Sequence, residues 1–265
     1  MELHAPSRWQ CIDFISDLHL QASESATVLA WQRYLRGTVA DAVFILGDLF
    51  EVWVGDDTLT QSGSFEALCA NTLSSAANRL DLYILHGNRD FLMGPALAAA
   101  CNCTLLDDPT LLSFAGERWL LTHGDALCLS DTDYLRFRTL VRSAQWQQDF
   151  MSKPLAERTA VAHSLRAQSE ARKRSTTVYA DVDVSAANSL LQAQGARHMI
   201  HGHTHRPATH HLDTERERLV LSDWDLNAQP PRADVLRLRL SGSGDGERYT
   251  VERIPPSMAV GQAQG

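Results

Sequence analysis

L-Y-I-L-H-G-N-R-D occupies residues 82–90. Four apolar residues run straight into a histidine, a glycine, an amide, a guanidinium and a carboxylate. A run this short, rich in branched and aromatic side chains and stopped by Gly, reads as a buried strand whose end carries polar groups. The same grammar recurs along the chain. C-I-D-F-I-S (11–16) leads into Asp17-Leu18-His19, and A-V-F-I-L (42–46) into Gly47-Asp48. W-L-L-T (119–122) leads into His123-Gly124-Asp125, and H-M-I (198–200) into H-G-H-T-H-R (201–206).

Helical patterns separate the early runs, at about 24–36, 64–80 and 95–101, the last after Gly94-Pro95. Strand and helix alternate, so the fold class is α/β with a substantial parallel sheet. In such sheets ligands bind outside the carboxyl ends of the strands, where all five polar clusters fall. Residues 130–190 differ: Tyr134, Phe137, Leu140, Val141, Trp146 and Phe150 make a helical stripe with arginines between, and Pro154 suits the first turn of a second helix over 155–174. This reads as a helical insertion, a lid, within a single domain over 10–255. After 206 the pattern returns to β in R-L-V-L-S, D-V-L-R-L-R-L and Y-T-V-E-R-I, and the tail over 256–265 is expected to be disordered.

Bulk composition narrows the class. The 265 residues are 44% apolar and 21% charged, near the averages of a globular protein. No apolar run approaches the roughly 18 residues of a membrane span, and the N-terminus lacks the basic and apolar regions of a signal peptide, so a cytoplasmic location is expected. Five scattered cysteines form neither a disulfide framework nor a zinc motif. The net charge of −8 argues against a nucleic-acid partner. Residues 134–174 reverse that sign, with nine Lys/Arg against three Asp/Glu.

The strand ends supply, in order, Asp17, His19, Asp48, Asn88, His123, His203 and His205. Carboxylate, imidazole and amide oxygen together suit Mn, Fe, Zn or Co better than Ca or Mg, which prefer oxygen alone. Seven donors are too many for one ion and suit a pair, which clamps the oxygens of an in-line displacement at phosphorus. Residues i and i+2 on an extended segment point the same way, so Asp17 with His19, and His203 with His205, are expected to share a site. His201 and His86 are read as structural, and His210 and His211 as exposed strand residues.

This ordered set, D-x-H, G-D, G-N-x-D, H-G-D and G-H-x-H, resembles the calcineurin-like metallophosphoesterase superfamily. The resemblance implies a four-layer αββα sandwich. It assigns Asp17, His19, Asp48 and His205 to one ion and Asp48, Asn88, His123 and His203 to the other, with Asp48 bridging. Many members have a histidine after the G-N asparagine, where this chain has Arg89. Arginine cannot release a proton near neutral pH, but its planar fork holds phosphate oxygens. That favours a phosphate leaving group, and so a pyrophosphate link. The competing reading is an Arg89–Asp90 surface pair.

Longer stretches, G-D-L-F-E-V-W-V-G-D-D (47–57), H-G-N-R-D-F-L (86–92), T-H-G-D-A-L-C (122–128) and I-H-G-H-T-H-R-P (200–207), are similar to the UDP-2,3-diacylglucosamine diphosphatase family of lipid A biosynthesis. That resemblance implies two Mn2+ ions per chain and water attack at the α-phosphorus, giving UMP and 2,3-diacylglucosamine 1-phosphate. It implies catalytic roles for Arg89, Asp48 and His123. It places substrate contacts at Asn88, Arg89 and His203, and from the insertion at Asp131, Ser169 and Lys173. Thr176 stands where the family has a lysine. The implied partners are a lipid-linked nucleotide and the cytoplasmic face of the inner membrane, with no obligate protein partner. The apolar and basic insertion suits acyl chains and a pyrophosphate, or packs the insertion onto the sheet. The alternatives are a hydrolase of the same fold acting on a soluble nucleotide or phosphodiester, and a non-catalytic scaffold. The segment S-D-W-D-L-N-A-Q-P-P (222–231) matches the family poorly.

Overall fold

The computed structural model describes residues 1–61, 63–175, 180–241 and 249–261, and of residues 168–175 the backbone alone. The chain opens with β1 (Glu2–His4), β2 (Cys11–Ile15), α1 (Ser25–Gly37), β3 (Ala42–Leu46), α2 (Phe65–Ala77) and β4 (Asp81–Leu85). It continues through α3 (Pro95–Cys101), β5 (Thr104–Leu106), β6 (Thr110–Phe114) and β7 (Glu117–Thr122). Four helices follow: α4 (Thr132–Val141), α5 (Ala144–Met151), α6 (Leu155–Ser175) and α7 (Val184–Ala193). The chain then adds β8 (His198–His201), β9 (Ala208–His211), β10 (Glu217–Val220), β11 (Val235–Leu240), β12 (Tyr249–Ile254) and α8 (Pro256–Ala259).

Two six-stranded sheets result, ordered β12-β11-β2-β3-β4-β5 and β1-β6-β7-β8-β10-β9. In the first, β2 to β5 run parallel while β11 pairs antiparallel with β2 and β12. In the second, β7, β8 and β10 are parallel neighbours. Strands β2 and β3 of the first sheet are buried on both faces, which is why they read as nearly unbroken apolar runs. Ile12, Phe14, Phe44 and Leu46 face Leu112, Trp119, Leu121 and Ile200 between the sheets. Ile15, Val43, Ile45 and Ile84 face outward to Trp31, Leu35, Leu73 and Leu97 of α1, α2 and α3. On the far side Leu120 and Met199 are covered by Ala187 and Leu191 of α7. The layers are therefore α, β, β, α, and the four-layer sandwich holds.

Local chemistry sets the helix boundaries. Ser64 caps α2, its hydroxyl accepting from Ala67 N at 3.1 Å, and Asn102 ends α3 at φ 50°. The aromatic stripe of 134–150 divides into α4 and α5, because Ser143 caps a new helix through Trp146 N. The helical stretch expected over 130–190 also divides by role, α4 to α6 standing apart from α7, which lies on the second sheet.

Residues 256–261, expected to be a disordered tail, are instead docked. Pro256 starts α8, Ala259 is buried, and Ala259 O accepts from Arg237 Nη2 at 2.9 Å. Arg237 is held in turn by the buried Asp13, at 2.7 and 2.8 Å. A charged pair so placed leaves guanidinium N–H groups over for the tail carbonyl.

Candidate metal centre

Strands β2, β3, β4, β7 and β8 end side by side, and the polar clusters occupy the loops just past them. The ligand pairs do not lie on extended backbone, as the i, i+2 reading expected. Asp17, His19, Asp48, His203 and His205 have φ of 52°, 47°, 51°, 68° and 54°. This left-handed conformation is disfavoured for residues with a Cβ. It persists because cross-loop bonds hold it: Asp17 N donates to Gly47 O at 3.1 Å, His19 N to Asp48 O at 3.0 Å, and His203 N to Asp17 Oδ2 at 2.9 Å. His201, still on the strand, turns away: its Nδ1 bonds Gly202 O at 2.9 Å and its Nε2 faces Arg218 at 3.3 Å. His86 bonds Met93 O at 2.7 Å. Both are structural. Gly87 is required by proximity, since a Cβ there would meet Asp48 Oδ1 at 2.1 Å.

The expected donors converge. Asp17, His19 and His205 bring ligand atoms within 4.8 Å of one another, and so do Asp17, Asp48 and His123. The first group holds three of the four residues assigned to one ion; Asp17 also reaches the second. Asn88 Oδ1 lies 3.0 Å from His123 Nε2 and 2.9 Å from His203 Nδ1. His123 Nδ1 donates to Leu46 O at 2.9 Å, and His19 Nδ1 faces Glu51 Oε2 at 3.1 Å. The His123 bond fixes a tautomer with its Nε2 lone pair aimed inward.

These residues fit a cation pair. His19 Nε2 and His205 Nε2 face each other at 3.3 Å, and two lone pairs at that separation need a cation or a proton between them. The Asn88 amide tells the same story. With no ion, its NH2 would donate to His203 Nδ1 and Asp48 Oδ2, leaving its oxygen to Arg89 Nε at 3.2 Å; with an ion, the oxygen turns inward as a ligand. Burial opposes charge on Asp17, yet His205, His123 and His19 hold its carboxyl well below the usual range. Burial likewise opposes protonation of His123, but Asp48, Asp125 and Asp17 lift it to about 9, while burial and the neighbouring His123 push His203 down to about 4. The cluster demands positive charge.

Arg89 sits beside the cluster. Its backbone N donates to Asp48 Oδ1 at 2.8 Å and its Nε lies 4.0 Å from Asp48 Oδ2. The Arg89–Asp90 surface pair is absent. Asp90 is fully buried and accepts from Leu49 N at 2.7 Å and Gly87 N at 2.8 Å, clamping two ligand loops together.

Helices α4 to α6 dock onto the centre through Tyr134 and the arginines of the insertion, whose partners the sequence did not indicate. Asp125 accepts from Tyr134 OH and from Arg138 Nε at 2.8 Å, and the Tyr134 ring stacks on His203 at 5.9 Å. Arg142 donates to Gly87 O at 2.9 Å. Arg158, 3% exposed at its side chain, bonds Val54 O and Asp57, and Arg166 bonds Glu51. The available signal was the trailing acids of H-G-D and G-D-D. Of the stripe, Phe150 and Val141 are buried, Leu140 is exposed, and Trp146 stands 6.2 Å from Phe91. Asp131 caps α4, accepting from Tyr134 N at 3.0 Å. The side chains of Ser169 and Lys173, and all of Thr176, lie outside the described residues.

Residues 12–207 match the calcineurin-like phosphoesterase family. The UDP-2,3-diacylglucosamine hydrolase of Chromobacterium violaceum is 47% identical over 80% of this chain and 90% of its own length. That of Ralstonia nicotianae is 42% identical, over 85% and 88%, and that of Pseudomonas aeruginosa 41%, over 80% and 90%. The chain belongs to the calcineurin-like phosphoesterases and, among them, to the family of the UDP-2,3-diacylglucosamine hydrolases.

Proposed function

We propose that this chain hydrolyses the pyrophosphate bond of UDP-2,3-diacylglucosamine by water attack at the α-phosphorus, releasing UMP and 2,3-diacylglucosamine 1-phosphate. The observation that carries the reading is the convergence of Asp17, His19, Asp48, His123 and His205, with Arg89 at its edge and beside basic and aromatic helices. The relatives' names supply the substrate class. Asp17, His19, Asp48, Asn88, His123, His203 and His205 would hold two Mn2+ ions, which would supply Lewis-acid charge and lower the pKa of water.

The chain's own residues do the rest. Asp48 faces both halves of the donor set, with His19 Nε2 3.9 Å and His123 Nε2 3.7 Å from its two oxygens. His123 is fixed by Leu46 O, so its inward face does not rotate. Arg89 binds a phosphate oxygen and neutralises charge that grows in the transition state. It need not donate a proton, because the leaving group is a phosphate monoester with a second pKa of about 6. Asn88 and His203 orient the same phosphate. Resemblance to the family supports contacts of Asp131, Ser169, Lys173 and Thr176 with the glucosamine. Phe91 and Trp146 provide apolar surface for acyl chains, with Arg142 stacked 5.5 Å over Phe91.

No helix among the described residues is long and apolar enough to cross a membrane. Peripheral attachment to the cytoplasmic face of the inner membrane is supported by the basic helices and by exposed Leu140 and Met151. The test is product analysis in 18O-water with manganese and mild detergent. Labelled UMP with unlabelled lipid phosphate is expected. Cleavage of soluble nucleotides or phosphodiesters, with the lipid nucleotide left intact, would overturn the substrate assignment.

A further inference from the structure

We infer that the cavity between the metal centre and the turn at 223–228 is the subsite for the nucleoside monophosphate half of the substrate; the assignment rests on the pyrophosphate hydrolysis proposed above. The cavity measures about 850 Å3, within the roughly 300–1,000 Å3 usual for small-molecule sites. One end is walled by His19, His203, His205 and Arg89. The other is walled by Gln21, Glu24, Thr27, Asp225 and Asn227, from the approach to α1 and the segment after β10. That segment is the one whose sequence matches the family poorly.

Polarity decides which half of the substrate fits. A hydrocarbon chain needs an apolar wall, and the far end offers amides, a hydroxyl and carboxylates. Phe91, Trp146 and Phe150 line none of it. Charge decides further. Arg89 and Arg166 stand beside Asp48 and Glu51 at the metal end. At the far end Arg232 is held by Asp223 at 2.7 Å and by Asp225 at 3.3 Å, and Arg206 is exposed. Glu24 and Asp225 only accept hydrogen bonds, so they receive ribose hydroxyls or a pyrimidine imide N–H and repel a second phosphate.

The wall is preorganised and underused. Asn227 Nδ2 donates to Glu24 Oε2 at 2.6 Å, and Asp225 Oδ1 accepts from Ala228 N at 2.9 Å. Trp224 N donates to Asp17 O at 3.0 Å, tying the turn to a metal-ligand loop. Thr204 Oγ1 and Trp224 Nε1, on residues lining the cavity, are buried without a hydrogen-bond partner among the described residues. A substrate with one apolar and one polar half thus meets a protein with the same division, joined at Arg89.

The experiment compares two probes, uridine 5′-monophosphate and inorganic phosphate, on the manganese-loaded protein by calorimetry. Phosphate reads the metal end alone, so the ratio of the two affinities reads the nucleoside subsite. UMP is expected to bind at least about tenfold more tightly than phosphate. In Gln21→Ala and in Asn227→Ala, at accessible positions, the ratio should fall to about threefold or less, with phosphate affinity and metal content unchanged. UMP binding no tighter than phosphate, or a ratio unaltered in both variants, would overturn the subsite. Turnover by the same wild-type preparation reads the parent proposal separately: cleavage of the lipid nucleotide with an unaltered ratio sinks the subsite alone, and no cleavage sinks the substrate reading.

Discussion

At Asp48 three demands meet in one residue: a left-handed backbone, a carboxylate facing two imidazoles, and an acceptor for Arg89 N at 2.8 Å. Asparagine tolerates the left-handed region better than alanine does and keeps an acceptor, so Asp48→Asn isolates the charge. Turnover should fall at least about 100-fold, with less bound metal by elemental analysis and a melting temperature within a few degrees of wild type. Unchanged metal content would sink the bridging role. Arg89 makes a second, separable prediction. Arg89→Ala should lower kcat by about 100-fold or more, and Arg89→Lys should recover part of it. The acidic and basic limbs of the pH profile should stay in place, because arginine does not titrate there. A limb that disappears with Arg89 would show that a proton had been moving through it.

Single ion pairs with a buried arginine add to the apolar contacts that hold elements to the sandwich. Arg158 of α6 is buried while its partner Asp57 is half exposed, and the guanidinium also serves Val54 O. Arg158→Ala leaves that carbonyl unpaired, costing about 1–3 kcal/mol. It should raise KM more than it lowers kcat, and expose the α5–α6 link to limited proteolysis; wild-type KM and wild-type cleavage would sink the latch. The segment before α7 is tied to β10 by Asp181 and Arg218, at 2.9 and 3.0 Å. Burial raises the Asp181 pKa, but the Arg218 hydrogen bonds outweigh it and hold the carboxyl below its usual value. A carboxyl depressed in the folded state stabilises above its unfolded pKa and loses that contribution as pH falls through the folded value. Asp181→Asn should therefore melt below wild type at neutral pH, and the difference should close in acid. A difference that widens in acid would contradict the pairing. Helix periodicity is local and was legible, as in Trp31, Tyr34 and Leu35 of α1. The latches were not, since Arg158 and Asp57 lie 101 residues apart.

For the whole molecule, the centre is a seam between sheets. Asp17, His19, Asp48 and Asn88 follow strands of the first sheet; His123, His203 and His205 follow strands of the second. Cations bound there stabilise the folded chain by mass action, about 2.7 kcal/mol at a hundredfold excess over the dissociation constant. In a chain of this size each kcal/mol shifts melting by roughly 2–4 °C. Chelation should therefore lower the melting temperature by about 5–10 °C and remove activity, and added manganese should restore both. A melting curve indifferent to chelator would argue against cations joining the sheets.

The sequence by itself determined the strand–helix alternation and the order of the seven donors. Those follow from runs of neighbours, where side-chain alternation and breakers act over a few residues. Family membership was legible for the same reason: the motifs are short and contiguous. Only the tertiary structure decided that the ligand pairs sit on left-handed turns rather than extended strands, because hydrogen bonds such as Asp17 N to Gly47 O hold them there from another loop. It also placed β1 beside β6, put α7 under the second sheet and docked the tail on Arg237. It alone opened a polar cavity beneath a segment whose residues, read in line, match the family poorly. Each of these depends on groups far apart in the chain, whose attraction exists only once the sheets have brought them together.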